Sequence, residues 1–182
     1  VTGGNYTGGL VGDNQQGTIR RSHVDVNVTG GHMKVGGLVG ENGYGTITDS
    51  SSEGIVKAED LYIGGLVGDG GYGSISKSFS NVDVWGGAEV GGLVGRNLGN
   101  IQECYSTGDV NSTGYNAGGF VGENIFGTIK NSYSTSIVTG NVTVGGFCGK
   151  NGWWTSYLED SYSSGHVYGN LNVGGFCGAN QD

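Results

Sequence analysis

Apolar positions along this chain recur at a long, fixed interval and not at helical spacing. A five-residue block, Gly-Gly-Leu/Phe-Val/Cys-Gly, begins at Gly8, Gly36, Gly64, Gly91, Gly118, Gly145 and Gly174, with spacings of 28, 28, 27, 27, 27 and 29 residues. Further apolar columns keep the same beat. One runs Ile19, Ile47, Ile75, Ile101, Ile129 and Leu158. Another runs Val28, Val56, Val84, Val110, Val138 and Val167. A third, just before each block, runs Val35, Ile63, Val90, Ala117, Val144 and Val173. A period of this length marks one supersecondary unit stacked on itself, because such a unit buries its apolar face only against a neighbouring copy.

Polar positions are as regular. An Asn column reads Asn14, Asn42, Gly70, Asn97, Asn124, Asn151 and Asn180. A small-residue column reads Ser22, Ser50, Ser78, Cys104, Ser132 and Ser161, and an often aromatic one follows it at His23, Ser51, Phe79, Tyr105, Tyr133 and Tyr162. The segments between bends are short, rich in Val, Ile, Thr, Tyr and Ser, and bounded by Gly, Asn or Asp, which is strand chemistry. In a parallel stack each residue lies about 4.8 Å above its equivalent, so like packs on like. The pattern predicts an all-β fold: a parallel β-solenoid (β-helix) of about six and a half coils of 27–29 residues, with three short strands each. Handedness is expected to be right, as for most parallel crossovers. The Ile19 to Ile129 column is expected to form one buried ladder, and the Asn amides to bond from coil to coil and to their own bends.

Composition narrows the alternatives. Glycine is 42 of 182 residues and proline is absent. Collagen requires Gly at every third residue, and disorder sits badly with such regular apolar columns. A single domain over residues 1–182 is expected, with no composition shift to mark a boundary. The net charge of −8 with only eight basic residues argues against a nucleic-acid partner or an anionic membrane surface. No apolar run approaches the length of a membrane-spanning helix, so no membrane insertion is expected. The chain starts and stops in mid-repeat, which predicts a fragment of a longer protein or a processed unit whose ends stack.

Each chemical signal has a bland reading beside it. Cys148 and Cys177 fall in one column of the block, one coil apart. A bridge is geometrically possible, but small buried apolar residues are the favoured reading. His23, His32 and His166 occupy different columns, so no metal site and no cofactor is expected. Asp13, Glu41 and Asp69 stack like charges beside a bend. Arg96 and Lys150 share that column, which reads as solvated surface charge. Alternating signs at Arg21, Asp49, Lys77 and Glu103 suggest charge matching between coils, with Lys130 and Glu159 as another pair. The loop at Trp153, Trp154 and Tyr157 is the one irregular insertion, and its aromatics are candidates to face a ligand. Sequons at Asn5, Asn27, Asn111 and Asn141 are candidate N-glycan acceptors. No convergent acid, base, nucleophile or metal-ligand set exists, so no enzymatic activity is expected.

The run Gly-Gly-Leu-Val-Gly-Glu-Asn at Gly36–Asn42, with Gly-Thr-Ile and Ser-Tyr-Ser-Thr at fixed offsets in Gly118–Thr135, resembles the GLUG motif. GLUG repeats occur in large secreted or surface-anchored proteins of bacteria and archaea, including adhesin-like ones, and accompany the IgA-cleaving zinc metallopeptidases. The resemblance implies an extracellular or cell-surface location and a β-helical stalk or adhesive role toward an unknown protein or glycan ligand. The peptidase chemistry does not carry over. A zincin needs His-Glu-x-x-His, and the residues after the histidines here are Val24, Met33 and Val167. Three function classes follow: a non-catalytic adhesin stalk or spacer, a self-assembling extracellular filament or surface-layer subunit stacking head to tail, and a carbohydrate-binding or carbohydrate-active β-helix.

Overall fold

The computed structural model describes residues 1–152 and 155–181. Every strand pairing is parallel and joins equivalent positions of successive coils, giving a β-solenoid of all-β architecture. Each coil contributes to four sheets, not three. The longest face carries the eight-residue strands Ser51–Ala58 and Phe79–Gly86, split in later coils into pairs such as Tyr105–Ser106 and Val110–Ser112. A second sheet holds Leu61–Gly64 and its equivalents, a third Val67–Asp69, and a fourth Ser74–Ser76.

The extra division has a physical cause. The Gly-Gly-Leu-Val-Gly block forms a corner between the second and third sheets. A Cβ on Gly65 would lie 2.1 Å from the Gly92 carbonyl oxygen, and one on Gly68 would lie 2.5 Å from the Val35 nitrogen. Only a residue without a side chain lets the backbone of neighbouring coils close this tightly.

Most left-handed turns fall on other residues, with Gly54 and Gly71 the glycines of positive φ. One column of positive φ runs Tyr6, Lys34, Tyr62, Glu89, Asn116, Thr143 and Asn172, and a second runs Arg21, Asp49, Lys77, Glu103, Asn131 and Asp160. Such a backbone costs roughly 1–2 kcal/mol per L-residue, so the ladders on either side must hold it.

Two apolar clusters fill the interior. The first contains the expected ladder Ile19, Ile47, Ile75, Ile101 and Ile129 with Leu38, Leu66, Leu93 and Phe120; the second contains Val28, Val56, Val84 and Val110 with Val35, Ile63 and Val90. Phe120, Phe147 and Phe176 stack with ring centroids 4.5 and 5.0 Å apart, close to the strand spacing itself. Between the clusters stands a column of inward serines, Ser52, Ser80, Ser106, Ser134 and Ser163, in direct register. Ser52 donates to the Gly65 carbonyl at 2.7 Å, Ser106 to that of Gly119 at 2.7 Å and Ser163 to that of Gly175 at 2.6 Å. These bonds pinch the coils at the waist, while the Ser80 hydroxyl of the same column is buried without a partner.

Candidate functional site

The Asn column forms the amide ladder its sequence implies. Asn14 donates to Asn42 at 2.7 Å, Asn97 to Asn124 at 2.8 Å, Asn124 to Asn151 at 2.9 Å and Asn151 to Asn180 at 2.8 Å. Each of Asn14, Asn42 and Asn124 also donates to the carbonyl three residues on, closing its own bend. At Gly70 the ladder lapses, and the Asp69 carboxylate accepts the Gly71 N–H instead. The serine column beside the left-handed corner works similarly: Ser50 donates to the Thr48 carbonyl and accepts the Ser22 N–H.

The acidic column is solvated at Asp13 but not at Glu41 and Asp69. Asp69 is 1% exposed and takes Lys34 at 3.2 Å and Arg96 at 2.6 Å; Lys34 also reaches Glu41 at 2.9 Å, and Lys150 reaches Glu123 at 3.0 Å. Arg96 lies over the Tyr62 ring at 4.0 Å and donates to its hydroxyl. The glycine corner explains this crevice. By bringing the left-handed column against the column after the block, it sets Lys34, Tyr62 and Glu89 beside Glu41, Asp69 and Arg96. Burial opposes the charges of Lys34 and Arg96, but their carboxylate partners outweigh it and raise both. Glu89 is the odd member. Burial, with Glu123 nearby, pushes its carboxyl up to about 7, and its Oε2 is buried with no hydrogen-bond partner. Sequence reasoning missed this crevice because its two columns lie seven residues apart, joined only by the corner.

The other expected charge matching is realised in part. Lys130 and Glu159 pair at 2.8 Å. Among the described residues no ion pair joins Arg21, Asp49, Lys77 and Glu103. Their positive-φ backbones turn these side chains out to solvent.

The aromatics divide into stacked and open ones. Phe79, Tyr105, Tyr133 and Tyr162 form an outward ladder with centroids 4.8, 5.1 and 5.1 Å apart, and Tyr44 stacks on Tyr72 at 5.7 Å. Trp85 stands apart on the long face, 48% exposed, with the Lys57 ammonium 5.7 Å from its ring centroid. It forms one side of a groove of about 970 Å³ that also involves Thr29, Glu59, Asn111 and Thr139. Nothing in the sequence distinguished Trp85 from other exposed aromatics. Its signal is positional: a ring flanked in its column by Thr29 and Lys57 on one side and by Asn111 and Thr139 on the other, with the next ring of the column, Tyr168, three coils on.

Of the sequence candidates, Tyr157 is exposed and pairs in register with Thr128, while Trp153 and Trp154 lie outside the described residues. Asn5, Asn27 and Asn141 are exposed and Asn111 is half-buried; the structure does not bring them together. Cys148 and Cys177 are register partners with free thiols. Cys148 and Cys104 are buried, and burial pushes the Cys104 thiol up to about 12, so it packs as a small apolar residue. Among the described residues no three His, Cys, Asp or Glu side chains are placed to hold a metal ion.

Comparison with known families matches the GLUG motif at residues 31–57, 86–111 and 113–139, each about one coil. The coil between the first two matches carries Gly70 in the Asn column. No curated protein and no solved structure matches the chain significantly.

Proposed function

We infer that this chain, which carries GLUG repeats in a β-solenoid, is a non-catalytic extracellular or cell-surface module that serves as a stalk or spacer. The observation that carries this reading is the continuity of the ladders. The Ile and Ser columns pass from coil to coil with register intact, and the Asn ladder bonds most coils to the next. Energy is thereby invested in length and stiffness along one axis, as in other linear repeat proteins. Lys34 and Arg96 are held in the ion pairs of the crevice, and Cys104 and Cys148 pack in the core. Fractionation of native cells tests the location: recovery with the envelope or in the medium supports it, and recovery in the cytosol overturns it. An activity screen on polysaccharides and immunoglobulins tests the absence of catalysis. Turnover that vanishes on substitution of one carboxylate, such as Glu89→Gln, would overturn that half.

A further inference from the structure

We propose that the groove beside Trp85 is a binding site for a neutral, linear glycan. This goes beyond the spacer reading and does not depend on it, because binding is measured on the isolated protein.

The argument starts from which ring faces are free. In the Phe79 ladder each ring lies within 2–6° of parallel to the next, so its faces are covered and its edge is presented. Tyr44 and Tyr72 cover each other in the same way. Among the described residues no ring stacks on Trp85. Its register neighbours are Lys57 on one side and Asn111 on the other. The Lys57 ammonium approaches one side, and Asn111 is too short to cover the indole. An exposed indole presents a face of negative potential, suited to the weakly positive C–H groups of a sugar ring.

The surroundings supply what a sugar needs next. Thr29 and Thr139 carry hydroxyls, Asn111 an amide, and Lys57 and Glu59 opposite charges. A few fixed polar groups around an apolar platform orient a ligand. The two charges cancel, so the groove offers no net field to an acidic polymer, and hydroxyl groups match its mixture of donors and acceptors. The column from Thr29 to Thr139 spans four rungs, about 19 Å at the strand spacing. That extent suits an extended chain laid across coils and exceeds what one sugar would use. The glycine-lined bends at Gly30, Gly31, Gly86 and Gly87 keep one side of the groove low.

Isothermal titration of the full chain tests this, with neutral linear oligosaccharides of increasing length (gluco-, xylo- and manno-oligomers) and an acidic oligogalacturonate for comparison. Titration to about 10 mM suffices, since a site with a Kd of 1 mM would then be about nine-tenths occupied. Saturable binding to at least one neutral series is expected, strengthening with chain length until the groove is filled. Trp85→Ala should weaken it at least about tenfold, a loss of about 1.4 kcal/mol. Trp85→Tyr should retain part of the affinity, and Tyr72→Ala should leave it unchanged. Unchanged thermal midpoints would show that the variants fold. No saturable binding to any neutral series overturns the proposal. So does binding that survives Trp85→Ala, or a preference for the acidic oligomer. A peptide ligand captured by the same indole would be the alternative if the glycans fail.

Discussion

The Ser52 hydroxyl donates to the Gly65 carbonyl at 2.7 Å through the buried interior, with the two residues facing each other across the coil. This bond explains why a serine column and a doubled glycine travel together through the sequence. The glycine brings its carbonyl inward, and the serine satisfies an acceptor that water cannot reach. Ser52→Ala should therefore cost about 0.5–1.5 kcal/mol, the net value of one hydrogen bond, because the Gly65 carbonyl keeps the Gly37 N–H as a second donor. Urea denaturation with an unchanged m-value would measure it. Gly65→Ala should be worse, because its new Cβ meets the Gly92 carbonyl oxygen of the backbone as well as the Ser80 hydroxyl. An alanine at Gly65 tolerated without loss would refute the pinched waist.

Position within the Asn ladder should set the cost of breaking it. Asn124 accepts from Asn97 and donates to Asn151 and to the Gly127 carbonyl. Three bonds at about 1 kcal/mol each give about 3 kcal/mol for Asn124→Ala. Asn180, which only accepts from Asn151 among the ladder residues, should cost less on the same substitution. Equal losses in paired denaturation curves would mean that the amides are not coupled along the axis.

Asp69 balances two cations from within the protein. Asp69→Ala leaves Arg96 without its carboxylate and Lys34 with Glu41 alone in a buried crevice, and a loss of about 3–5 kcal/mol is expected. Adding Arg96→Ala should restore part of it, since the second substitution removes a charge that the first left uncompensated. A double variant as unstable as the sum of the single ones would argue against direct coupling.

Glu89 gives the stack a pH signature. Its carboxyl is raised from 4.5 to about 7 by burial first and by Glu123 second. Ionising it costs more in the folded chain than in the unfolded one. The stability tied to it is thus complete below about pH 4.5 and is lost as pH rises to about 7. Glu89→Gln should remove this fall and raise the denaturation midpoint at pH 8. A wild-type curve as flat as that of the variant between pH 5 and 7 would defeat the assignment.

Much of the fold was legible because a solenoid writes its contacts into its period. The Ile ladder, the Asn ladder and the Lys130–Glu159 pair each follow from one column read down the chain. What escaped involved two columns at once. The block's role as a corner depends on how closely Gly68 approaches the backbone at Val35, a distance no single repeat reveals. Asp69 looked solvated because its column mixes signs, and its partner Lys34 stands in a different column. Trp85 was invisible as a site because an exposed ring means little until its faces are known to be free.

The serine–glycine waist also decides how the molecule deforms. By drawing opposite walls together between the two apolar lobes, it makes each coil broad and thin. The eight-residue strand Ser51–Ala58 runs about 26 Å across, while facing sheets pack about 10 Å apart. Stacked in register, such sections make a ribbon and not a round bar. A ribbon flexes readily across its thin dimension and resists flexing in its own plane, so thermal bending should be confined largely to one direction.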